Sequence, residues 1–313
     1  MSGEVPVDFE AYMRELADGS VRLKVSSLAR LSGLTPERAL HFARAWPAID
    51  VRRRRRIVQE LIDLAEDNVE FDFDAVFFRG LEDQDADVRL ESVRGLWEHD
   101  GAKLIEPLIR VVESDENAAV RAEAALALGR FVALSEEGKL RERHFQSVES
   151  ALRRVLDNEA EVDEVRARAL EAIGARDQSW VRQAIREAYE SGSRRLKVSA
   201  VHAMGRSCES RWLPLLLREL ANEEAEVRYE AAVACGSLGN EEAVPHLAKL
   251  VSDPDEQVKQ AGIAALGEIG GRAAKDALRE LVDSPSPAVR DAALAALAEI
   301  DFEEDPLSVK YRI

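Results

Sequence analysis

Five segments of this chain carry one pattern at an unvarying interval of 31 residues, opening at Val165, Leu196, Val227, Val258 and Val289. A fixed period of this length restricts the fold more than composition can, because each copy must bury its apolar face against the next. The residue after the opening is always basic: Arg166, Lys197, Arg228, Lys259 and Arg290. Four past the opening stands a small residue (Ala169, Ala200, Ala231, Gly262, Ala293), then an apolar one (Leu170, Val201, Ala232, Ile263, Leu294), and three further on another (Ile173, Met204, Cys235, Leu266, Leu297). Steps of four, five and eight fall on one face of a 3.6-residue helix. Gly174, Gly205, Gly236 and Gly267 follow, where the helix stops or a neighbour approaches closely. An earlier apolar column, Ile185, Leu216, Leu247 and Leu278, keeps the same interval and marks a first helix, so the unit is a helical hairpin. One hairpin cannot cover both of its apolar stripes, and copies have to stack.

Weaker copies extend the pattern towards the N-terminus. Arg22 to Leu31 echoes Arg195 to Met204, Thr35-Pro36-Glu37 has the chemistry of a helix cap and first turn, and Trp46-Pro47 ends that helix. Ile57, Val58, Leu61 and Ile62 form a degenerate copy whose opening slot is arginine. Val88-Arg89 and Val120-Arg121 open clearer ones, with Trp97 in the glycine column of the first. Pro107, Pro214 and Pro245 share one register near the start of a first helix, where a missing N–H costs least. Between Val120 and Val165 the interval grows to 45, and the excess includes Ser135-Glu136-Glu137-Gly138 and a long helix with Phe145, Val148, Leu152 and Val155. The chain is expected to be one continuous all-α solenoid over residues 1–302. It has irregular repeats at 1–134, an insertion and long helix at 135–157 and regular repeats at 158–302, then an acidic tail or cap at 303–313. About nine hairpins with helices roughly 10 Å apart predict a right-handed, curved superhelical rod on the order of 90 Å long.

The formal net charge of −17 disfavours a uniformly basic nucleic-acid face or an anionic-membrane anchor. The first twenty residues carry Glu4, Asp8, Glu10, Arg14, Glu15 and Asp18, and no apolar run approaches the ~18 residues that span a bilayer. The expectation is a soluble cytoplasmic protein. Cys208 and Cys235 supply neither a disulfide framework nor a metal quartet and are expected as free thiols.

The Val-Arg opening, the small residue and the Ala-Leu-Gly-like ending resemble HEAT repeats, specifically the short HEAT-like repeats named after the phycobilisome lyases. They are fullest in Val258-Lys259-Gln260-Ala261-Gly262-Ile263-Ala264-Ala265-Leu266-Gly267-Glu268-Ile269-Gly270. The resemblance covers nearly the whole chain and implies an α-solenoid, a frame that carries scaffolds, chaperone-like lyases and a few enzymes. It also implies that the basic second residue pairs with an aspartate six residues earlier. Asp83 with Arg89, Asp115 with Arg121 and Asp253 with Lys259 keep that spacing, while Asn222 and Ser284 replace the acid in two copies.

Catalytic chemistry is hard to place on these residues. The repeated His-Glu dipeptides that would hold two irons in a deoxyhypusine-hydroxylase-like enzyme do not occur, and His41, His99, His144, His202 and His246 show no metal spacing. No nucleophile with a base and an orienter is recognisable, and neither metal nor cofactor is expected. Arg52 to Arg56 beside Trp46 suggests the basic groove of a HEAT-like alkylpurine DNA glycosylase. Five consecutive arginines, however, wrap a helix, and Glu60, Asp63 and Glu66 stand as helical neighbours, which fits a solvated, internally paired helix.

Second helices in such stacks usually line the concave side, with positions two, six and ten past the opening turned to solvent. That selects Arg55, Gln59, Arg94, Arg130, Glu171, His202, Arg206, Tyr229 and Gln260 as candidate partner-binding residues, along with Leu90, Glu98 and Leu126. Arg94, Arg130 and Arg206 with Tyr229 have the guanidinium and aromatic chemistry that anchors protein interfaces, and equally that of ordinary surface residues. Trp97, Trp180 and Trp212 are expected in the core or between repeats. The expected function is a non-enzymatic scaffold binding a protein or peptide on its concave face. A lyase-like chaperone for a tetrapyrrole or its acceptor protein, and a DNA-binding or glycosylase-like protein, stay open as alternatives.

Overall fold

The computed structural model describes residues 7–304, so all but the first two residues of the expected tail or cap lie outside the described residues. Every regular element among them is helical. The chain divides between Ala172 and Ile173 into two compact units.

The first unit runs through α1 (Val7–Ala17), α2 (Val25–Leu28), α3 (Pro36–Ala45), α4 (Val51–Asp67), α5 (Asp74–Gly80), α6 (Ala86–Gly95), α7 (Ile105–Ser114), α8 (Ala118–Glu136), α9 (Glu142–Asp157) and α10 (Asp163–Ile173), whose last residue crosses the boundary. Thr35 caps α3 by accepting from the Arg38 backbone N–H, and Asp85 caps α6 through Val88. Hairpins α5/α6 and α7/α8 stack so that α4, α6 and α8 lie side by side. Phe42, Trp46, Ile57, Phe77, Leu128 and Phe131 are among the buried side chains that hold this stack. The excess between Val120 and Val165 is absorbed by lengthening: α8 has 19 residues and α9 has 16, against 10 in α6.

The second unit contains α11 (Ser179–Glu190), α12 (Arg194–Arg206), α13 (Leu213–Glu219), α14 (Ala225–Leu238), α15 (Val244–Leu250), α16 (Glu256–Ile269), α17 (Gly271–Leu281) and α18 (Pro287–Glu304). These are four consecutive hairpins, and their second helices pack in sequence, α12 on α14, α14 on α16 and α16 on α18. The glycine column explains how closely they lie. A Cβ on Gly205 would stand 2.7 Å from the Ala234 Cα, and one on Gly236 would stand 3.0 Å from the Ala265 Cα. The helices run on past both glycines, so close approach, not termination, selects them. The expected apolar face is buried through Leu266, but Leu294 on α18 is 50% exposed and Leu297 is half-buried. α18 packs on α16 and α17, and no described helix covers its far side.

The basic column does not pair as the resemblance implied. Arg89, Arg121 and Arg228 reach forward to the acid of the following repeat, whereas Arg166, with Ser191 at that place, donates to the Leu156 carbonyl. Arg89 grips Asp115 with two hydrogen bonds of 2.7 and 2.8 Å, Arg121 grips Glu161 at 2.9 and 2.7 Å, and Arg228 grips Asp253 at 2.7 and 2.8 Å. Arg54, in the degenerate copy, donates to Asp83 at 3.2 Å. The residue six positions earlier contributes its backbone carbonyl instead, Asp83 to Arg89, Asp115 to Arg121, Asn222 to Arg228 and Ser284 to Arg290. Its side chain accepts the backbone N–H two residues on, which Asp115, Asn222 and Asp253 all do at 2.9 Å. Asparagine or serine therefore closes its own turn but offers no anion to the preceding repeat. The two copies that precede Asn222 and Ser284 carry lysine, which finds other acids: Lys197 lies 3.8 Å from the buried Glu219 on α13 of the next hairpin, and Lys259 lies 2.9 Å from Glu256 on its own helix. Where a bidentate acid follows, the basic residue is arginine, although Arg166 stands where none does.

Candidate functional site

The candidate residues sit on the second helices of each unit. Arg55 and Gln59 lie on α4, Arg94 on α6, Arg130 on α8 and Glu171 on α10 in the first; His202 and Arg206 on α12, Tyr229 on α14 and Gln260 on α16 in the second. Many are engaged within the fold. Arg55 holds Asp85 and Asp87, and its hydrogen bonds keep the Asp85 carboxyl below the usual carboxylate range. Gln59 donates to Asp63, Glu171 accepts from Arg168, and His202 stands 3.2 Å from Glu230. Arg206 is exposed. Tyr229 and Gln260 come together, lining an open groove of about 510 Å³ with Glu256 and Gln257.

Four arginines of the run beside Trp46, Arg53 to Arg56, are engaged within the fold, Arg54 and Arg55 with the carboxylates of Asp83 and Asp85. Trp46 is fully buried and donates its indole N–H to Asp83 at 2.6 Å, while Arg53 donates to the Val21 carbonyl and Arg56 pairs with Glu60. Leu61 and Val58, on the same helix, close the core beneath it.

Arg94 and Arg130 are brought together, and around a residue expected elsewhere. Trp212 is buried and Trp180 half-buried, but Trp97 is 59% exposed, contrary to the expectation of core packing. The cause is the early end of α6 at Gly95. A Cβ at Gly95 would stand 2.5 Å from the Phe77 ring, and past it the chain turns away before the glycine column is reached, leaving the indole outside. Leu126 on α8, 38% exposed, lies on the same cavity as Trp97. That cavity encloses about 170 Å³ between α6 and α8 and is lined by Arg94, Trp97, His99, Leu126 and Arg130, among others. Arg94 is held by Glu91 at 2.9 Å and by Glu123 at 3.2 Å. Arg130 donates from Nη1 to the Trp97 carbonyl. His99 meets the Asp74 carboxylate through Nδ1 and packs edge-on against Phe78.

Sequence reasoning missed Trp97 and His99 as site residues. The signal for Trp97 was its break with the glycine column; a lone histidine gave none. Among the described residues no group of three or more His, Cys, Asp or Glu could hold a metal ion, and no helix is long and apolar enough to cross a membrane. Cys235 is buried, and burial pushes its thiol up to about 12, away from thiolate chemistry.

A family model described as HEAT repeats matches residues 75–140, 181–265 and 213–298, which together span more than half of the chain. A comparison with curated protein sequences finds no match. Among solved structures, the complex of CpcE and CpcF of phycocyanin lyase from Nostoc sp. PCC7120 is similar at 17% identity and a TM-score of 0.52, covering 91% of this chain and 97% of that one. YibA of Escherichia coli gives 18% identity and a TM-score of 0.48 over 78% of this chain and 96% of its own. Human deoxyhypusine hydroxylase gives 21% identity and a TM-score of 0.32 over 94% and 96%.

Proposed function

This chain belongs to the HEAT-repeat family, and on that premise we propose that it is a non-enzymatic scaffold that binds a protein or peptide through the second-helix face around Trp97. One observation carries the reading: a tryptophan 59% exposed in a position the repeat gives to glycine, beside the exposed Leu126 and between Arg94 and Arg130. Exposing an indole and a leucine side by side gains nothing for folding, since apolar surface left in water contributes no burial energy. Tryptophan and arginine are also the side chains that dominate the energetics of protein interfaces. Within the first unit the hairpins that carry this face are fastened to one another by Arg89, which binds Asp115, and Arg54, which binds Asp83.

The test is affinity capture from the source cell with three forms of the full chain: wild type, Trp97→Ala combined with Leu126→Ser, and Val69→Ser as a control at an exposed residue outside the cavity lining. Proteins retained by the wild type and the control but lost from the double variant support the reading. The same set retained by all three overturns it.

A further inference from the structure

Arg89, Arg228 and Arg290 share one anchorage, and among the described residues only the first two complete it. Arg89 and Arg228 set Nη1 on the carbonyls six and five residues earlier and turn Nε and Nη2 onto the acid of the following repeat. Arg290 sets Nη1 on the Ser284 and Pro285 carbonyls, again six and five residues earlier, at 2.7 and 3.3 Å. Its other edge therefore faces the side where a following repeat would stand, and no carboxylate of a described residue meets it. The apolar column is open at the same place: Leu170, Val201, Ala232 and Ile263 are buried, but Leu294 is 50% exposed. Ala295, Ala298 and Phe302 are exposed with it on α18.

Leu294 and Ala298 run along the middle of this face. Arg290 and Asp301, eleven residues or about three turns apart, lie on one flank of it, and Asp291 and Phe302, also eleven apart, lie on the other. A second copy of α18 laid antiparallel across the midpoint, Ala296, brings each Arg290 level with Asp301 of the other copy on the same flank. One stands six residues before the midpoint and the other five after it. Leu294 then meets Ala298, large against small, and Asp291 meets Phe302, so no two like charges come together. Asp301 is held by Lys275 at 2.9 Å, and a carboxylate has acceptor sites for both cations. A head-to-tail neighbour fits less well, since α1 turns Asp8, Glu10, Arg14 and Glu15 to solvent and would set charge against Leu294 and Phe302. We propose that the protein forms a twofold dimer through this face of α18, with Arg290 of each copy bound to Asp301 of the other. Closure about a twofold axis uses one patch twice and takes the exposed leucine and phenylalanine of both copies out of water.

Analytical ultracentrifugation of the full chain at micromolar concentrations tests this, with circular dichroism to check that each variant is folded. The wild type and Val69→Ser, a change at an exposed residue of the first unit, should sediment as dimers and Leu294→Glu as a monomer. Arg290→Met should raise the dimer dissociation constant at least tenfold. Ala295 lies beside the twofold axis, so Ala295→Cys in a Cys208→Ser background should oxidise to a covalent dimer, whereas Asp8→Cys in the same background should not. If Leu294→Glu fails to fold, the crosslinking comparison still decides. A wild type that stays monomeric overturns the proposal, as does a dimer that Leu294→Glu leaves intact or that Asp8→Cys traps as readily as Ala295→Cys. A monomeric wild type that dimerises once Leu307, Val309 and Tyr311 are all changed to serine overturns it too, and assigns the face to the segment that follows α18.

Discussion

Arg228 shows what the basic column does. Its guanidinium closes the turn of its own repeat through the Asn222 carbonyl and binds the next repeat through Asp253, so one side chain fastens two hairpins. The column and its chemistry were legible in the sequence. The register was not, because a spacing of six residues within a repeat is equally the spacing of a carbonyl contact and of a salt bridge. The folded carboxyls record the arrangement. Hydrogen bonds from Arg228 and Arg121 hold Asp253 and Glu161 below the ordinary carboxylate range; at Asp115 burial opposes the charge, and the hydrogen bonds from Arg89 and the Asn117 backbone, with the charges of Arg89 and Arg121, together outweigh it. Groups with a depressed folded pKa add stability that is complete above the unfolded value, about 4, and is lost as pH falls through the folded value. The melting temperature should therefore hold between pH 7 and 5 and drop steeply below pH 4, with a shallower drop in Arg228→Met. A melting temperature unchanged down to pH 3 would contradict the ladder as a stabilising element.

At the scale of elements, the hairpins of the regular region follow from the 31-residue period, since periodicity fixes which face of each helix is apolar. Helix length was less legible. The 45-residue interval shows in the sequence as an insertion with a long helix around Phe145 to Val155; that helix is α9, while the extension of α8 through Ser135 and Glu136 was not legible, because an added turn of helix extends an existing packed face without a new core. The glycine column left two explanations open in the sequence, and the distance from Gly205 to Ala234 selects between them. Gly205→Ala tests this, because alanine gains roughly 1 kcal/mol of helix propensity and overpacking costs typically about 1–3 kcal/mol. With backbone atoms 2.7 Å from the added Cβ, the clash should win and lower stability by about 1–2 kcal/mol in a urea titration. A stabilised Gly205→Ala would mean that α12 and α14 are not held at this separation.

For the molecule as a whole, the division of labour lies between regular and irregular repeats. The regular copies specify a HEAT stack and little else, which is why family and fold were readable while the partner was not. Of the nine candidate residues, Arg94 and Arg130 share a cavity and Tyr229 and Gln260 share a groove. Arg55, Gln59, Glu171 and His202 are occupied by partners of their own. Helical spacing could place these residues towards solvent but could not show which neighbours their long side chains would find. Trp97 was visible as a departure from the repeat, yet its exposure depends on α6 stopping at Gly95, a packing event against Phe77 from another helix. The most direct test is photo-crosslinking in the source cell with a benzophenone side chain at position 126 and, as control, at the exposed position 69. Discrete crosslinked proteins at 126, absent at 69 and lost in Trp97→Ala, are the predicted result. Crosslinking at 126 that is no greater than at 69, or that persists unchanged in Trp97→Ala, would contradict a docking role for this face.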